Sequence, residues 1–311
     1  MKAKYLLALC FSLAAMPVIA QTDSTGLPGD NFSLEAALDL FKNSASPEAF
    51  EKALNTEGNN VNNLDLNDDG DIDYIRVIDH RDGDVHTIVL QATISATESQ
   101  DVAVIELEKT GENTAVIQIV GDEDLYGEEK IVEPEDDGQS TSFRSGGTRY
   151  AHGPSVKEEG AGVIVNVWFW PSVRFVYAPA YVIWTSPWTW RARPMWWRPW
   201  RPVRHSVFYV RYAPYRPRYV VVRTHRIVRA PRIYRPVRVT SVTVYNRHRT
   251  SVTHYRSTRR ITPVNNGRTT TLNNGRSQGR VTHRTTTTTR QGVGPRKVKT
   301  TKTTTVRKPR R

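Results

Sequence analysis

Every acidic side chain of this 311-residue chain lies at or before Glu159, and the 151 residues from Ala161 to Arg311 contain no Asp or Glu. Up to Gly160, 31 acidic and 11 basic side chains leave −20; beyond it 33 Lys and Arg stand unopposed, which gives the chain its +13. A soluble folded surface normally intersperses both signs, so a block of this kind is far outside average composition. The sign change predicts two parts of different character: an acidic folded head, then a cationic half unlike an ordinary globular domain.

The first residues have the layout of a secretory signal. Lys2 and Lys4 precede an apolar or small stretch from Tyr5 to Ala15, and Val18-Ile19-Ala20 stands before Gln21. Cleavage is expected near Ala20, with an exported product in the periplasm or at the outer cell surface. The apolar run is too short to cross about 30 Å of hydrocarbon comfortably. The single cysteine, Cys10, lies inside this signal behind Leu9. The exported chain therefore carries no thiol, which excludes disulfides, Cys-ligated zinc and thiol catalysis.

Within the head, Ser33 is placed to cap a helix through Leu34, Ala37, Leu38 and Phe41. Ser46-Pro47-Glu48 starts a second, with a capping hydroxyl, Pro at the first helical position and a carboxylate at the positive end. After Asp71 the apolar period changes from helical to two. A strand is expected from Tyr74 to Asp79. Ile88, Leu90, Ala92 and Ile94 alternate with Thr87, Val89, Gln91 and Thr93; Ala103, Ile105 and Leu107, then Ala115, Ile117 and Ile119, alternate in the same way. Arg81-Asp82-Gly83-Asp84 and Thr110-Gly111-Glu112-Asn113 read as hairpin turns. The expected fold is α+β: two N-terminal helices packed on a four-stranded antiparallel meander.

The most specific local signal is Asp65-Leu66-Asn67-Asp68-Asp69-Gly70-Asp71-Ile72-Asp73, with five aspartates in nine residues. Oxygen ligands at alternate positions converge as a chain wraps. Asp65, Asn67, Asp69, Asp71 (through its carbonyl) and Asp73 are the candidate metal ligands, Gly70 permits the sharp turn, and Ile72 anchors the loop below. An all-oxygen set suits calcium, here in a structural role. The alternative is a solvated Asx-rich turn entering a strand. The spacing Asp-x-Asn-x-Asp-Gly-x-x-Asp resembles the calcium loops of EF-hands, dockerins and FG-GAP/VCBS-type repeats, over about nine residues. That resemblance implies an ion site and not a shared fold. Arg76 stands where an EF-hand has its bidentate acid, and a strand follows instead of an exiting helix. The chain as a whole resembles uncharacterised exported proteins of Gram-negative bacteria that join such a loop to a Trp/Arg/Pro-rich C-terminal half.

The expected layout is a signal at 1–20, the acidic domain at 31–134, a flexible linker at 135–160, a Trp/Pro-rich segment at 161–202 and an Arg-rich, mostly disordered tail at 203–311. All eight tryptophans fall between Trp168 and Trp200. That block admits a membrane helix over Val163–Trp190, a segment lying on a membrane surface, or an irregular layer packed on the head; packing is preferred, because Arg174 and three prolines interrupt the first. Beyond about Thr250 the Thr/Arg/Asn/Gly low complexity cannot bury enough apolar surface to offset its ordering entropy.

No Gly-rich phosphate loop, paired-histidine zinc motif or nucleophile elbow is present. The expectation is a non-enzymatic envelope protein: a calcium-stabilised head and an Arg/aromatic arm for polyanions such as lipopolysaccharide, anionic lipid or acidic polysaccharide, without specific nucleic-acid recognition. Candidate polyanion or membrane contacts are Trp188, Trp190, Arg191, Arg193, Trp196, Trp197, Arg198, Trp200 and Arg201. The alternatives are a membrane-anchored protein using the Trp-rich segment, a hydrolase, and an arm that neutralises its own acidic head.

Overall fold

The computed structural model describes residues 24–136, 142–143 and 164–261, with only the backbone described at 142, 143 and 259–261. The signal, most of the linker and the tail beyond residue 261 lie outside the described residues.

Both expected helix starts are present. In α1 (Leu34–Asn43) the Ser33 hydroxyl accepts from the Ala36 amide at 3.1 Å; in α2 (Pro47–Leu54) Ser46 accepts from Ala49 at 3.1 Å. Leu34, Ala37, Leu38, Phe41, Phe50 and Leu54 are fully buried, Ala53 is half-buried, and Phe41 meets Phe50 edge to face at 5.3 Å. Four strands follow as an antiparallel meander: β1 (Ile75–Asp82), β2 (Val85–Thr93), β3 (Ser99–Gly111) and β4 (Thr114–Gly121). The first turn uses Gly83 at φ 62°, a conformation that favours glycine.

The sheet does not stop at four strands. After α3 (Glu123–Tyr126) comes β5 (Lys130–Pro134), and the sixth strand, β8 (Tyr219–Val222), arrives from the cationic half to pair antiparallel with β5. The order is β1-β2-β3-β4-β5-β8. A separate short pair joins β6 (Ser142–Phe143) to β7 (Ile164–Val165).

One face of the sheet (Val77, Ile88, Leu90, Ile105, Leu107, Ile117, Ile119) packs on α1 and α2, joined by Val167, Trp170, Val173 and Val176 around α4 (Pro171–Val176). The other face is also apolar. Val89, Val104, Val120 and Ile131 pack with Val222 and Tyr234, while Val85 packs with Ile227 and Ala230. Residues 203–261, expected as the start of a largely disordered tail, are instead built into α5 (His205–Tyr212), β8, α6 (Ala230–Tyr234) and α7 (Val242–Ile261). The described residues up to Ser257 form one compact unit, and packing crosses the boundaries expected at 134 and 203. The physical reason is the second apolar face, which a soluble sheet must cover. The remaining unit, Thr258–Arg311, is described only to Ile261.

The same segment brings cations to the head's acids. Arg226 Nε reaches Glu133 at 2.6 Å. Arg238 reaches Asp122 at 2.6 Å and Asp124 at 2.8 Å. The Tyr234 hydroxyl donates to Asp101 at 3.1 Å.

Glu51, 1% exposed, ties three parts of the fold together. Its carboxylate accepts from the Tyr74 hydroxyl at 2.8 Å, the Ser186 hydroxyl at 2.8 Å, the Val77 amide at 2.9 Å and the Trp184 indole at 3.4 Å. Burial pushes its pKa up, and those donors oppose the rise. Glu51→Ala strands these donors in the interior, so it should destabilise the chain by about 3 kcal/mol in denaturant melts. Ser46→Ala, which removes one exposed cap, should cost about 1 kcal/mol.

Candidate metal centre and the aromatic strap beside it

Apolar anchors pin the Asp-rich loop at both ends. Leu64, Leu66 and Ile72 are buried while Asp68, Asp69, Gly70 and Asp71 are exposed. The Asp73 amide donates to the Leu64 carbonyl at 2.8 Å, and the Asp73 carboxylate takes the Leu66 amide at 2.7 Å. Inside this closure the side chains turn onto the loop's own amides. Asp65 accepts from Asp69 at 3.1 Å with one oxygen and from Gly70 at 3.0 Å with the other. Asn67 accepts from Asp69 at 3.0 Å, and Asp69 from Asp71 at 2.9 Å. The Asn67 amide nitrogen donates to Asp69 at 2.8 Å. Gly70 has φ 87° and Asp68 φ 55°, the left-handed turns that wrap the loop.

The geometry thus links Asp65, Asn67 and Asp69 through hydrogen bonds, with Asp73 as their buried electrostatic neighbour. The Asp71 side chain stays exposed, and its amide serves Asp69. Asp65 is pushed up by burial and by the charges of Asp69 and Asp68, against the Gly70 amide. Asp73 is pushed up to about 7 by burial and by Asp65 and Asp69, opposed by the Leu66 amide and Arg193. As placed, no three His, Cys, Asp or Glu side chains among the described residues form a ligand set for a metal ion. The donors are nonetheless oxygen throughout, and their mutual repulsion is what a hard cation relieves. From α7, Arg247 bonds Asp68 at 3.0 Å and the Leu66 carbonyl at 2.7 Å.

Beside the loop, residues 184–203 form an irregular strap along the outer edge of β1. The Asp79 amide donates to the Trp184 carbonyl at 2.8 Å, Ser186 donates to Val77 at 3.0 Å, and Ile72 donates to Trp200 at 2.9 Å. The first two bonds pair a β1 edge that would otherwise be open, and the third ties the strap to the Asp-rich loop. The nine expected contact residues divide. Arg191, Arg198 and Arg201 are exposed, Trp196 is 44% exposed, and Trp188, Trp190 and Trp200 are half-buried. Trp197 is buried at 7%, and Arg193 is stacked over the Tyr74, Trp190 and Trp197 rings at 5.6, 5.0 and 4.8 Å. Among the described residues no helix is long and apolar enough to cross a membrane.

Two polar clusters contain histidines. His86 is fully buried and bonds Asp79 at 2.8 Å, with the Tyr181 hydroxyl on the same carboxylate at 2.8 Å. The signal was legible, because His86 shares the parity of Ile88 and Leu90. His225, expected on flexible chain, sits instead between Glu106 at 3.4 Å and Glu129 at 3.1 Å on the second sheet face.

No protein-family model matches this chain, and no curated protein or solved structure matches it.

Burial pushes Glu106 up to about 7, with His225 opposing. A carboxyl raised in the folded chain contributes most below its unfolded pKa, and that contribution is lost as pH climbs through the folded value. The melting temperature should therefore carry a component that falls between about pH 4.5 and 7. Glu106→Gln should flatten that component and raise the melting temperature at pH 8 by a few degrees.

Proposed function

We propose that this is an exported, non-enzymatic envelope protein whose Asp-rich loop holds a structural calcium ion and whose Arg/aromatic strap binds polyanionic surfaces. One observation carries the reading: a wrapped loop in which the partly buried carboxylates Asp65 and Asp73 are crowded by the exposed Asp69 lies hydrogen-bonded through Ile72 to the Trp200 end of that strap. Asp65, Asn67, Asp69 and Asp73 would hold the ion through side-chain oxygens and Asp71 through its carbonyl, as in the calcium loops that this spacing resembles. The ion would supply positive charge and cross-linking. The loop's own residues close the turn and seat Ile72 under the strap.

The outward arginines support the second half of the reading. Arg191, Arg198 and Arg201 are exposed and have no ion-pair partner among the described residues, whereas Arg218, Arg226, Arg229, Arg235, Arg238, Arg247 and Arg256 are engaged with the head's own acids. Part of the arm's charge is thus spent internally, while the strap's three arginines face outward in the same stretch as the half-buried Trp188, Trp190 and Trp200 and the exposed Trp196. Lipopolysaccharide phosphates, anionic lipids and acidic polysaccharides present the anions that an exported arginine surface meets. Export itself rests on the signal-like residues 1–20.

Melting curves of the exported chain in calcium and in chelator test the ion. At a hundredfold its Kd, calcium should add about 2.7 kcal/mol. Asp69→Asn and Asp73→Asn should abolish that increment and cost little in chelator, since each asparagine keeps an oxygen for the loop amide. Equal melting temperatures with and without calcium would remove the ion. Retention on anionic liposomes should fall steeply with salt, and Arg191→Ala with Arg198→Ala and Arg201→Ala should reduce it; retention indifferent to salt would remove the polyanion partner.

A further inference from the structure

Arg193 differs from the other strap arginines in turning inward. Its Nε donates to the Trp190 carbonyl at 3.2 Å, and three aromatic rings surround its guanidinium. Its Nη1 is shut off from solvent and has no hydrogen-bond partner among the described residues. The indole Nε1 of Trp197, whose ring centre lies 4.8 Å from the Arg193 guanidinium carbon, is in the same position. Buried donors normally find acceptors, and leaving one bare costs its hydration. Two such donors, one of them on a residue only 7% exposed, belong to a single stacked pair.

We propose that this nest is an oxyanion subsite, the place on the strap that binds by shape as well as by charge. A guanidinium edge and an indole N–H are donors only, so the group that completes them is an acceptor, and the fixed positive charge selects an anion. Cation–π contacts with the Tyr74, Trp190 and Trp197 rings and the bond to the Trp190 carbonyl hold the guanidinium in place in advance, and its planar fork suits a carboxylate or two oxygens of a phosphoryl group. Asp73 and Asp69 are the carboxylates that act on Arg193. A cation on the loop would offset their repulsion of an incoming anion, so the subsite rests on the reading above and is tested in calcium. Residues 186–203 contain no helix and no strand, and Trp196 within them is 44% exposed. Between the anchoring bonds at Ser186 and Trp200 this stretch makes no backbone hydrogen bond to β1 among the described residues, so it can shift to admit an anion with the β1 pairing intact.

The test titrates the exported chain, in millimolar calcium, with sodium phosphate and separately with sodium acetate, each against sodium chloride of equal ionic strength, reading tryptophan emission. A saturable change with phosphate or acetate, absent with chloride, is expected, and the stronger of the two identifies the preferred oxyanion. Trp197→Phe keeps the ring and loses the donor; Arg193→Lys keeps the charge and loses the fork. Each should weaken binding by about tenfold while the far-ultraviolet dichroism stays unchanged. If Arg193→Lys fails to fold, Trp197→Phe decides. No saturable change, a change that chloride reproduces, or equal affinity in Trp197→Phe overturns the subsite. Salt-sensitive binding to anionic vesicles alongside any of those results overturns the subsite alone; loss of vesicle binding as well overturns the polyanion reading too.

Discussion

The structure depends on a sheet that is apolar on both faces. The helices α1 and α2 cover one face, and nothing among the described residues of the acidic half covers the other. Val89, Val104, Val120 and Ile131 would meet water if the chain ended at β5. Burial of such side chains, at about 25 cal/mol per Å² of apolar surface, is what recruits β8, Ile227, Ala230 and Tyr234 from the cationic half. The charge pairs follow from that docking and do not drive it. Arg226–Glu133 and Arg238–Asp122 bring the acids of the head against the cations of the arm, and such pairs gain little net stability once desolvation is counted. Their consequence is orientation. Opposite charges at fixed places on the sheet face set where each turn of the arm lands.

The same logic explains the strap. β1 is an edge strand, and its outer amides and carbonyls need partners. Residues 184–186 provide them, and the Trp184 indole and Ser186 hydroxyl converge on Glu51 beneath. Because the strap is hydrogen-bonded to β1 at one end and to the Asp-rich loop through Ile72 and Trp200 at the other, the loop and the aromatic residues form one neighbourhood. Arg193 then lies within electrostatic reach of Asp73 although 120 residues separate them in the chain.

Local chemistry accounts for what was readable in advance. Ser33 and Ser46 cap their helices because a hydroxyl before an apolar stripe satisfies amides within the same few residues. The meander from β1 to β4 is legible for the same reason: a period of two and short polar turns bind neighbours in sequence. The wrapping of the Asp loop is local as well, since Asp65 and Asp69 meet amides only two to five positions away. The burial of His86 could have been read from its parity with Ile88. The sixth strand could not be placed, because a four-residue strand of Tyr and Val carries no statement of which edge it joins.

The sequence by itself determined the segregation of charge, the two capped helices, the first four strands and a wrapped aspartate loop, because each rests on contacts between residues close along the chain. Only the tertiary structure decided that the arginine-rich half is part of the same compact unit up to Ser257. It also decided that His225 lies between two glutamates and that Arg193 stacks inward while Arg191 faces out. Those outcomes depend on which apolar surfaces remain uncovered after the local elements have formed, a property of the assembled sheet and of no single stretch of chain.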